Sequence, residues 1–333
     1  MKRIKLNQRL LIVLLLFLNL FSNKVYSEEN QSSPLFSVQA IFPENQVKSQ
    51  VSYFDLAMEP GKNQVVEVEL INSGTSDLTI LMTANKATTN SNGIVDYSLS
   101  DQKNDSSLLI DFSKIVSIKS EVTIPSGERI RVPVLIELPD KKFDGIVLGA
   151  LSFTEKVDKE SQSHISNRYA YSIAMILSQN KMEVHPNLNL SKIFASQTNL
   201  RNVIKANLQN DQSIIVPNLE IETSIYRKNA TKPLVQQKSE NLRMAPNSNF
   251  DYSIGTNNKP LEDGNYRMEM KAKSNENEWT WSEEFTIAKE EADKYNETAV
   301  ELEENQSYSG LIIAALIGCI LLLIFILFIK RKK

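Results

Sequence analysis

Apolar and polar residues alternate with a period of two over most of the chain. The alternation is clear at residues 66–70, 78–84 and 130–138, where apolar side chains occupy every second position. This period is typical of strands that bury one face and expose the other. Turn signals separate the runs, among them Pro-Gly at 60–61 and Asn-Ser-Gly at 72–74. The pattern predicts a domain built of short strands, with the spacing of a β-sandwich.

A second series of strands follows a polar stretch, 155–168, that has no periodicity and is predicted to be a linker open to proteolysis. The later strands are predicted near 201–209, 214–226, 249–254, 264–272 and 279–287. In the last of these, Trp279 and Trp281 share a face with Phe285 and Ile287. That continuity favours core packing of both tryptophans over a ligand platform.

The chain is therefore predicted to be all-β with two tandem sandwiches. The predicted boundaries are 28–155 for the first domain, 156–168 for the linker and 169–288 for the second domain. Residues 289–310 are acidic and lack a core pattern, which predicts a helical or disordered stalk.

The two ends of the chain carry targeting signals. Residues 1–9 are basic and 10–21 are apolar, which predicts a secretory signal peptide over 1–27, with an uncleaved anchor as the alternative. Residues 311–329 are 19 residues without a charge, enough to cross a hydrocarbon core of about 30 Å as a helix. The basic tail at 330–333 predicts a cytoplasmic C-terminus. The protein is expected to be a single-pass protein of the cell membrane, with its ectodomain on the extracellular, cell-wall side.

Charge and cysteine content narrow the class of protein. Residues 28–310 hold all 40 acidic residues but only 28 of the 37 basic residues, a net charge of −12. This acidity argues against nucleic acid as a partner. The one cysteine, Cys319, lies in the predicted membrane helix, so the ectodomain forms no disulfide. Absence of disulfides from an exported sandwich favours a bacterial surface.

The sequence offers little catalytic chemistry. Only two histidines occur, and zinc-protease, paired-cysteine, nucleophile-elbow and phosphate-loop motifs are absent. We therefore predict a protein that is not an enzyme, with no catalytic residue, metal or cofactor. An envelope enzyme such as a wall hydrolase and a non-binding structural spacer are the alternatives to a binding protein.

Several short stretches resemble the WxL-interacting proteins of Gram-positive bacteria. In the first domain they are FPENQ at 42–46, YFDL at 53–56, Pro-Gly at 60–61, VELIN at 68–72, ATTNSNG at 87–93 with Tyr97, Leu-Pro at 138–139 and FDGIVLG at 143–149. In the second they are MAPNS at 244–248, GNY at 264–266 and the strand with Trp279 and Trp281. The order of signal, two domains, membrane helix and basic tail is also that of the family.

The resemblance implies a function. In this family the first domain is described as peptidoglycan-binding and the second as host-binding, and both would be immunoglobulin-like sandwiches. The proteins associate with WxL-domain surface proteins, and host extracellular-matrix or serum proteins are a further class of expected partner. The resemblance therefore implies a membrane-anchored cell-surface adaptor.

One segment of the first domain is a candidate contact surface for wall glycan. Amide and hydroxyl groups bond sugar hydroxyls, and an aromatic ring covers the apolar face of a sugar. The segment 87–97 offers such groups around a turn at Gly93. The predicted binding residues are Thr88, Thr89, Asn90, Asn92 and Tyr97. The alternative is a hairpin turn whose polar residues are only solvated.

Overall fold

The computed structural model of the protein describes residues 35–98, 103–156, 169–302 and Ile317. Within them the chain forms two β-sandwiches that follow one another in sequence. The prediction of an all-β protein is confirmed. The predicted signal peptide at 1–27, the membrane helix at 311–329 apart from Ile317, and the tail at 330–333 lie outside the described residues. Among the described residues, no helix has the length and apolar character needed to cross a bilayer.

The first sandwich consists of two facing sheets. One contains, in spatial order, β1 (Phe36–Ile41), β3 (Asn63–Asn72), β9 (Arg129–Glu137) and β7 (Val116–Ile118). The other contains β2 (Phe54–Ala57), β11 (Ala170–Ser178), β10 (Ile146–Glu155), β4 (Leu78–Lys86) and β8 (Glu121–Ile124). Neighbouring strands are antiparallel except for β2 and β11, which are parallel. The orders β1-β3-β9-β7 and β11-β10-β4 match the ABED and GFC sheets of an immunoglobulin domain.

Alternation along the strands builds the first core, as predicted. In β3, Val66, Val68 and Leu70 are buried while the residues between them face outward. The opposite sheet contributes Leu78 and Ile80 of β4 to the same core.

A one-turn helix, α1 (Phe112–Ile115), packs against β4, β7 and β10 of the first sandwich. The Asp111 side chain caps it by accepting a hydrogen bond from the backbone N–H of Ser113 at 3.1 Å. The Phe112 ring lies against Gly149 of β10, where an added Cβ would meet the ring at 2.1 Å. A glycine is therefore required at this position for the aromatic ring to reach the core.

Strand β11 belongs to the first sandwich, although it lies beyond the predicted end of the first domain at residue 155. Residues 170–178 pair with β10 over its length and with β2 at the edge of the first sandwich. Ile173, Met175 and Leu177 are at most 5% exposed in the first core. By its pairing and burial, the first strand of the predicted second domain, 169–288, therefore belongs to the first sandwich. A period of two reveals a strand but not the sheet it joins. The predicted linker 156–168, described only at Lys156, connects two paired strands of one sandwich.

The second sandwich begins after residue 187. One sheet contains β12 (Leu188–Thr198), β13 (Arg201–Asn210) and β16 (Ser248–Gly255). The other contains, in order, β15 (Val235–Met244), β14 (Val216–Arg227), β17 (Gly264–Ser274) and β18 (Asn277–Ile287). All pairs are antiparallel, and the predicted strands in this part of the chain are confirmed. A separate core fills the space between the sheets.

The two tryptophans of β18 face the second core, as predicted. Trp279 and Trp281 pack against it on the same side as Phe285 and Ile287. Both are only half-buried, because β18 is the edge strand of its sheet. Their role is that of core residues at the open side of the sandwich.

The predicted acidic stalk begins with a helix, α2 (Lys289–Thr298), that packs on the second sandwich. Ala292 is 2% exposed, and the Gln197 side chain donates a 2.6 Å hydrogen bond to the Tyr295 carbonyl. Asn202 donates to the Asn296 side chain at 2.8 Å. The helix docks through Ala292, the half-buried Tyr295 and several amide contacts, and so few apolar contacts leave no core pattern in the sequence. The part of the predicted stalk beyond 302 lies outside the described residues.

Candidate functional site

The predicted binding segment forms a tight hairpin. Strand β5 (Thr88–Thr89) pairs with β6 (Val95–Asp96). The Asn90 side chain accepts hydrogen bonds from the backbone N–H groups of Asn92 at 3.0 Å and Ile94 at 3.2 Å. Gly93 has φ +67°, which a residue without a Cβ adopts readily. Asn90 and Gly93 therefore shape the turn, and Asn92 is exposed at its tip.

The hairpin does not present its threonines to solvent. Thr89 is 1% exposed, and its hydroxyl lies 2.6 Å from that of Ser248 in the second sandwich. The backbone N–H of Ala245 also donates to the Thr89 hydroxyl at 3.0 Å. Thr88 is buried and donates to the Asp96 carbonyl at 3.2 Å. The structure corrects the prediction for these two residues, because their hydroxyls are used within the protein.

Tyr97 also belongs to the contact between the sandwiches. With Val95 it packs against an apolar cluster of Ala87 and Leu148 from the first sandwich and Ala245 from the second. Burial raises the pKa of the Tyr97 phenol, although the nearby Arg243 guanidinium acts in the opposite direction. Of the five predicted residues, Asn92 is exposed, Asn90 and Tyr97 are half-exposed, and Thr88 and Thr89 are buried.

A polar network joins the sandwiches beside this cluster. Asp105, in the loop before α1, accepts hydrogen bonds from the side chains of Gln209, at 2.8 Å, and Asn249. Burial alone would raise the pKa of Asp105, but hydrogen bonds from Ser107, Asn249 and Gln209 outweigh it and lower the pKa. Asn247 donates to the Ser107 carbonyl at 3.0 Å.

A close backbone approach completes the interface. The backbone N–H of Ile146 donates to the Ser213 carbonyl at 2.8 Å. Gly145, the preceding residue, has φ +78°, and an added Cβ would lie 2.2 Å from the same carbonyl oxygen. The family-like stretches 87–93, 143–149 and 244–248 therefore meet at one interface, and the cavity left between them is only about 20 Å³. That volume suits a water molecule, not a sugar.

An open cleft on the first sandwich is the larger candidate site. Its volume is about 510 Å³, within the range of about 300–1,000 Å³ typical of ligand pockets. The lining residues are Pro43, Glu44, Asn45, Ala57, Met58, Glu59, Lys62, Asn63 and Gln64. They come from the stretch after β1, from the end of β2 and from the turn that leads into β3.

Two side-chain amides are held in place in this cleft. Asn45 donates to the Gln64 oxygen at 2.9 Å, and Gln64 donates back to the Asn45 oxygen at 2.8 Å. Asn45 also donates to the Ala57 carbonyl at 2.9 Å. In the sequence, 42–46 and 60–61 stand out only as stretches that resemble the family. The signal for a site is the concentration of Asn, Gln and Glu on both sides of two turns, but the pairing across 19 positions needs the fold.

Within the described residues, no group of three or more His, Cys, Asp or Glu side chains is arranged to hold a metal ion. The polar groups of the cleft are amides, two carboxylates and one ammonium group. Such groups bind by hydrogen bonding and charge.

Two successive parts of the chain each match a protein-family profile. Residues 36–155 match the sequence profile "WxL Interacting Protein, peptidoglycan binding domain". Residues 160–297 match the profile "WxL Interacting Protein, host binding domain". The chain belongs to the WxL Interacting Protein family. The border between the two family profiles falls between β10 and β11, so the host-binding profile includes a strand that completes the first sandwich.

Comparison with curated proteins finds no match. Among solved structures, a chaperone–tip adhesin complex of CFA/I fimbriae has 12% identity and a TM-score of 0.32, covering 76% of this chain and 98% of the other. The E. coli chaperone DraB has 10% identity and a TM-score of 0.28, covering 75% and 98%. A PapD-like domain of human CEP192 has 15% identity and a TM-score of 0.28, covering 45% and 89%. At such TM-scores, likeness indicates nothing about what this chain binds.

Proposed function

We propose that this protein is a membrane-anchored cell-surface adaptor that binds peptidoglycan and WxL-domain proteins and contacts host ligands. The observation that carries the proposal is the match of two WxL Interacting Protein domains in order, at 36–155 and 160–297. Both domains are named for binding, which supports an adaptor in preference to an envelope enzyme or a spacer. Host extracellular-matrix and serum proteins are the class of host ligand we propose.

The proposed location follows from the ends of the sequence. The basic, then apolar, N-terminus and the uncharged stretch 311–329 with its basic tail support export and anchoring. Protease added to intact protoplasts should then digest the ectodomain and spare a tag fused after Lys333. Loss of the tag would contradict the proposed orientation.

Co-sedimentation with insoluble peptidoglycan tests the binding function. The purified ectodomain, residues 28–302, should sediment with peptidoglycan and release no soluble muropeptides. Release of muropeptides would support the hydrolase alternative, and absence of sedimentation would support the spacer. Mass spectrometry of proteins captured from solubilised envelopes should find chains with a WxL domain.

A further inference from the structure

We infer that the cleft between β2 and β3 binds the glycan strand of peptidoglycan through N-acetylated sugar units. The inference rests on the proposed peptidoglycan binding and adds to it a location and a chemical class. The cleft takes the place of the hairpin 87–97 as the surface proposed to contact glycan.

The cleft exists because β3 is longer than its neighbour. Strand β1 pairs with β3 only as far as Ile41 and Glu67. Within the described part of the chain, residues 63–66 therefore continue without a partner strand on that side. After Ile41 the chain turns away, and its residues 43–45 form the opposite wall. The Ala57 backbone N–H donates to the Asn45 carbonyl at 3.3 Å, which fixes that wall to the end of β2. The site is thus an open side of the sandwich with walls held by backbone contacts.

The amide pair is oriented and still has bonding capacity. Asn45 uses its two N–H groups on Gln64 and Ala57, whereas Gln64 uses one N–H group on Asn45. One Gln64 N–H group and a lone pair on each amide oxygen therefore remain for a ligand. Because the two side chains hold each other, binding need not order them, which lowers its entropic cost. An acetamido group or a hydroxyl pair of a sugar has the matching donors and acceptors.

Apolar surface beside the amides suits a sugar ring. Pro43, Ala57 and Met58 line the cleft next to the polar groups. Phe42, which precedes Pro43, is 39% exposed and packs edge-on against Phe54 of β2, with ring centroids 6.0 Å apart. Small-molecule sites generally combine such apolar surface with a few placed polar groups. The arrangement fits a ligand with one apolar and one hydroxylated face.

Charge favours the glycan over the stem peptide. The charged lining residues are Glu44, Glu59 and Lys62, a formal excess of one negative charge. The carboxylates accept hydrogen bonds from sugar hydroxyls. Carboxylates of a stem peptide would meet like charge there, which opposes binding. The polysaccharide, whose sugars present hydroxyl and acetamido groups, is therefore the preferred occupant.

A second groove on the same sandwich serves as a control. It lies between β4 and β7, has a volume of about 390 Å³, and includes Thr83 and Ser117 in its lining. Its one amide, Asn85, already donates to the Tyr97 carbonyl at 2.8 Å. This groove has a comparable size but lacks the paired amides.

The test uses the ectodomain 28–302 and two probes: the tetramer of N-acetylglucosamine, and stem peptide released from peptidoglycan. We expect the tetramer to bind the unchanged protein by calorimetry and the stem peptide not to bind. The double variant Asn45→Ala, Gln64→Ala should bind the tetramer and whole peptidoglycan about tenfold more weakly, since each net hydrogen bond contributes several-fold. The control variant Thr83→Ala, Ser117→Ala should bind as the unchanged protein does.

A further variant guards against loss of folding. Ala57→Arg adds bulk from an exposed lining position and removes no side-chain hydrogen bond, so binding should fall while the unfolding midpoint stays unchanged. If the unchanged protein binds peptidoglycan but both cleft variants bind equally well, the cleft assignment is overturned and the proposed function stands. Binding of stem peptide without the tetramer would overturn the glycan assignment. Failure of the unchanged protein to bind peptidoglycan would overturn both.

Discussion

Single residues decide how closely the two sandwiches approach. Gly145 lies at the interface with φ +78°, and Gly127 lies in a surface turn with φ +72° and no atom near an added Cβ. Substitution of either glycine by alanine places a residue with a Cβ at a positive φ, which strains the backbone by about 1–3 kcal/mol. Gly145→Ala also forces its Cβ against the Ser213 carbonyl.

We expect Gly145→Ala to lower the free energy of unfolding by more than Gly127→Ala, with a difference of about 1–3 kcal/mol for the displaced interface contact. Urea unfolding of the ectodomain measures both values. Equal losses would mean that the close approach at Ser213 contributes nothing.

Asp105 makes the same interface dependent on pH. Its pKa in the folded protein is lowered, so the stabilisation it provides is complete above the ordinary aspartate pKa of about 3.9 and is lost as the pH falls through the folded value. The difference in thermal unfolding midpoint between the unchanged protein and the Asp105→Asn variant should be largest near pH 7. It should shrink below about pH 4. Thermal unfolding at pH 7 and pH 3 tests this, with exposed Asp293→Asn as the control. A difference that stays constant with pH would contradict the role of the carboxylate.

At the scale of elements, the alternation of apolar and polar residues predicts most strands but not the strands with which they pair. The alternation that places Val66, Val68 and Leu70 in the first core involves residues close together in the chain, so the amino-acid sequence reveals it. The membership of β11 in the first sandwich depends on its pairing with β10 and β2, which no local pattern encodes. The burial of Thr89 likewise depends on a turn 156 residues further along, at Ala245. A polar residue near a turn therefore resembles an exposed binding residue even where it is buried.

The cleft shows the same limit. Residues 43–45 and 62–64 are polar and lie beside turns, which the sequence reveals. That they face one another depends on the early end of β1 and on the edge position of β2. The composition of the hairpin 87–97 predicts a binding surface from sequence alone, whereas the cleft follows only from the arrangement of the strands.

Strand β11 is expected to be indispensable for the first sandwich. A fragment of residues 36–156 lacks the buried Ile173, Met175 and Leu177 and leaves β10 with an open edge. Each of these side chains contributes about 1.5–3 kcal/mol on burial, and their sum is comparable to the stability of a whole domain, about 5–15 kcal/mol. We expect 36–156 to lack a cooperative unfolding transition and 36–186 to show one. Equal midpoints of the two fragments in urea would mean that β11 is dispensable.

At the scale of the whole molecule, the two family domains are connected more tightly than their sequence borders indicate. The polar stretch 155–168 predicts a site where proteolysis separates two folded halves. In the structure this stretch lies between β10 and β11, which pair over nine residues from Ile146–Ser178 to Thr154–Ala170. The interface around Thr89, Asp105 and Gly145 adds further contacts between the halves.

A single cut in this stretch should therefore leave the halves associated. We expect an ectodomain with an engineered protease site between residues 157 and 168 to run as two fragments on a denaturing gel. In native size-exclusion chromatography it should still elute as one species. The uncut ectodomain is the size standard, and a second protein combining the cut with Met175→Asp is the matched comparison. Because that substitution places a charge in the first core, its fragments should separate or aggregate. Clean separation of the unsubstituted fragments into two folded species would contradict the strand assignment and restore the domain border at residue 156.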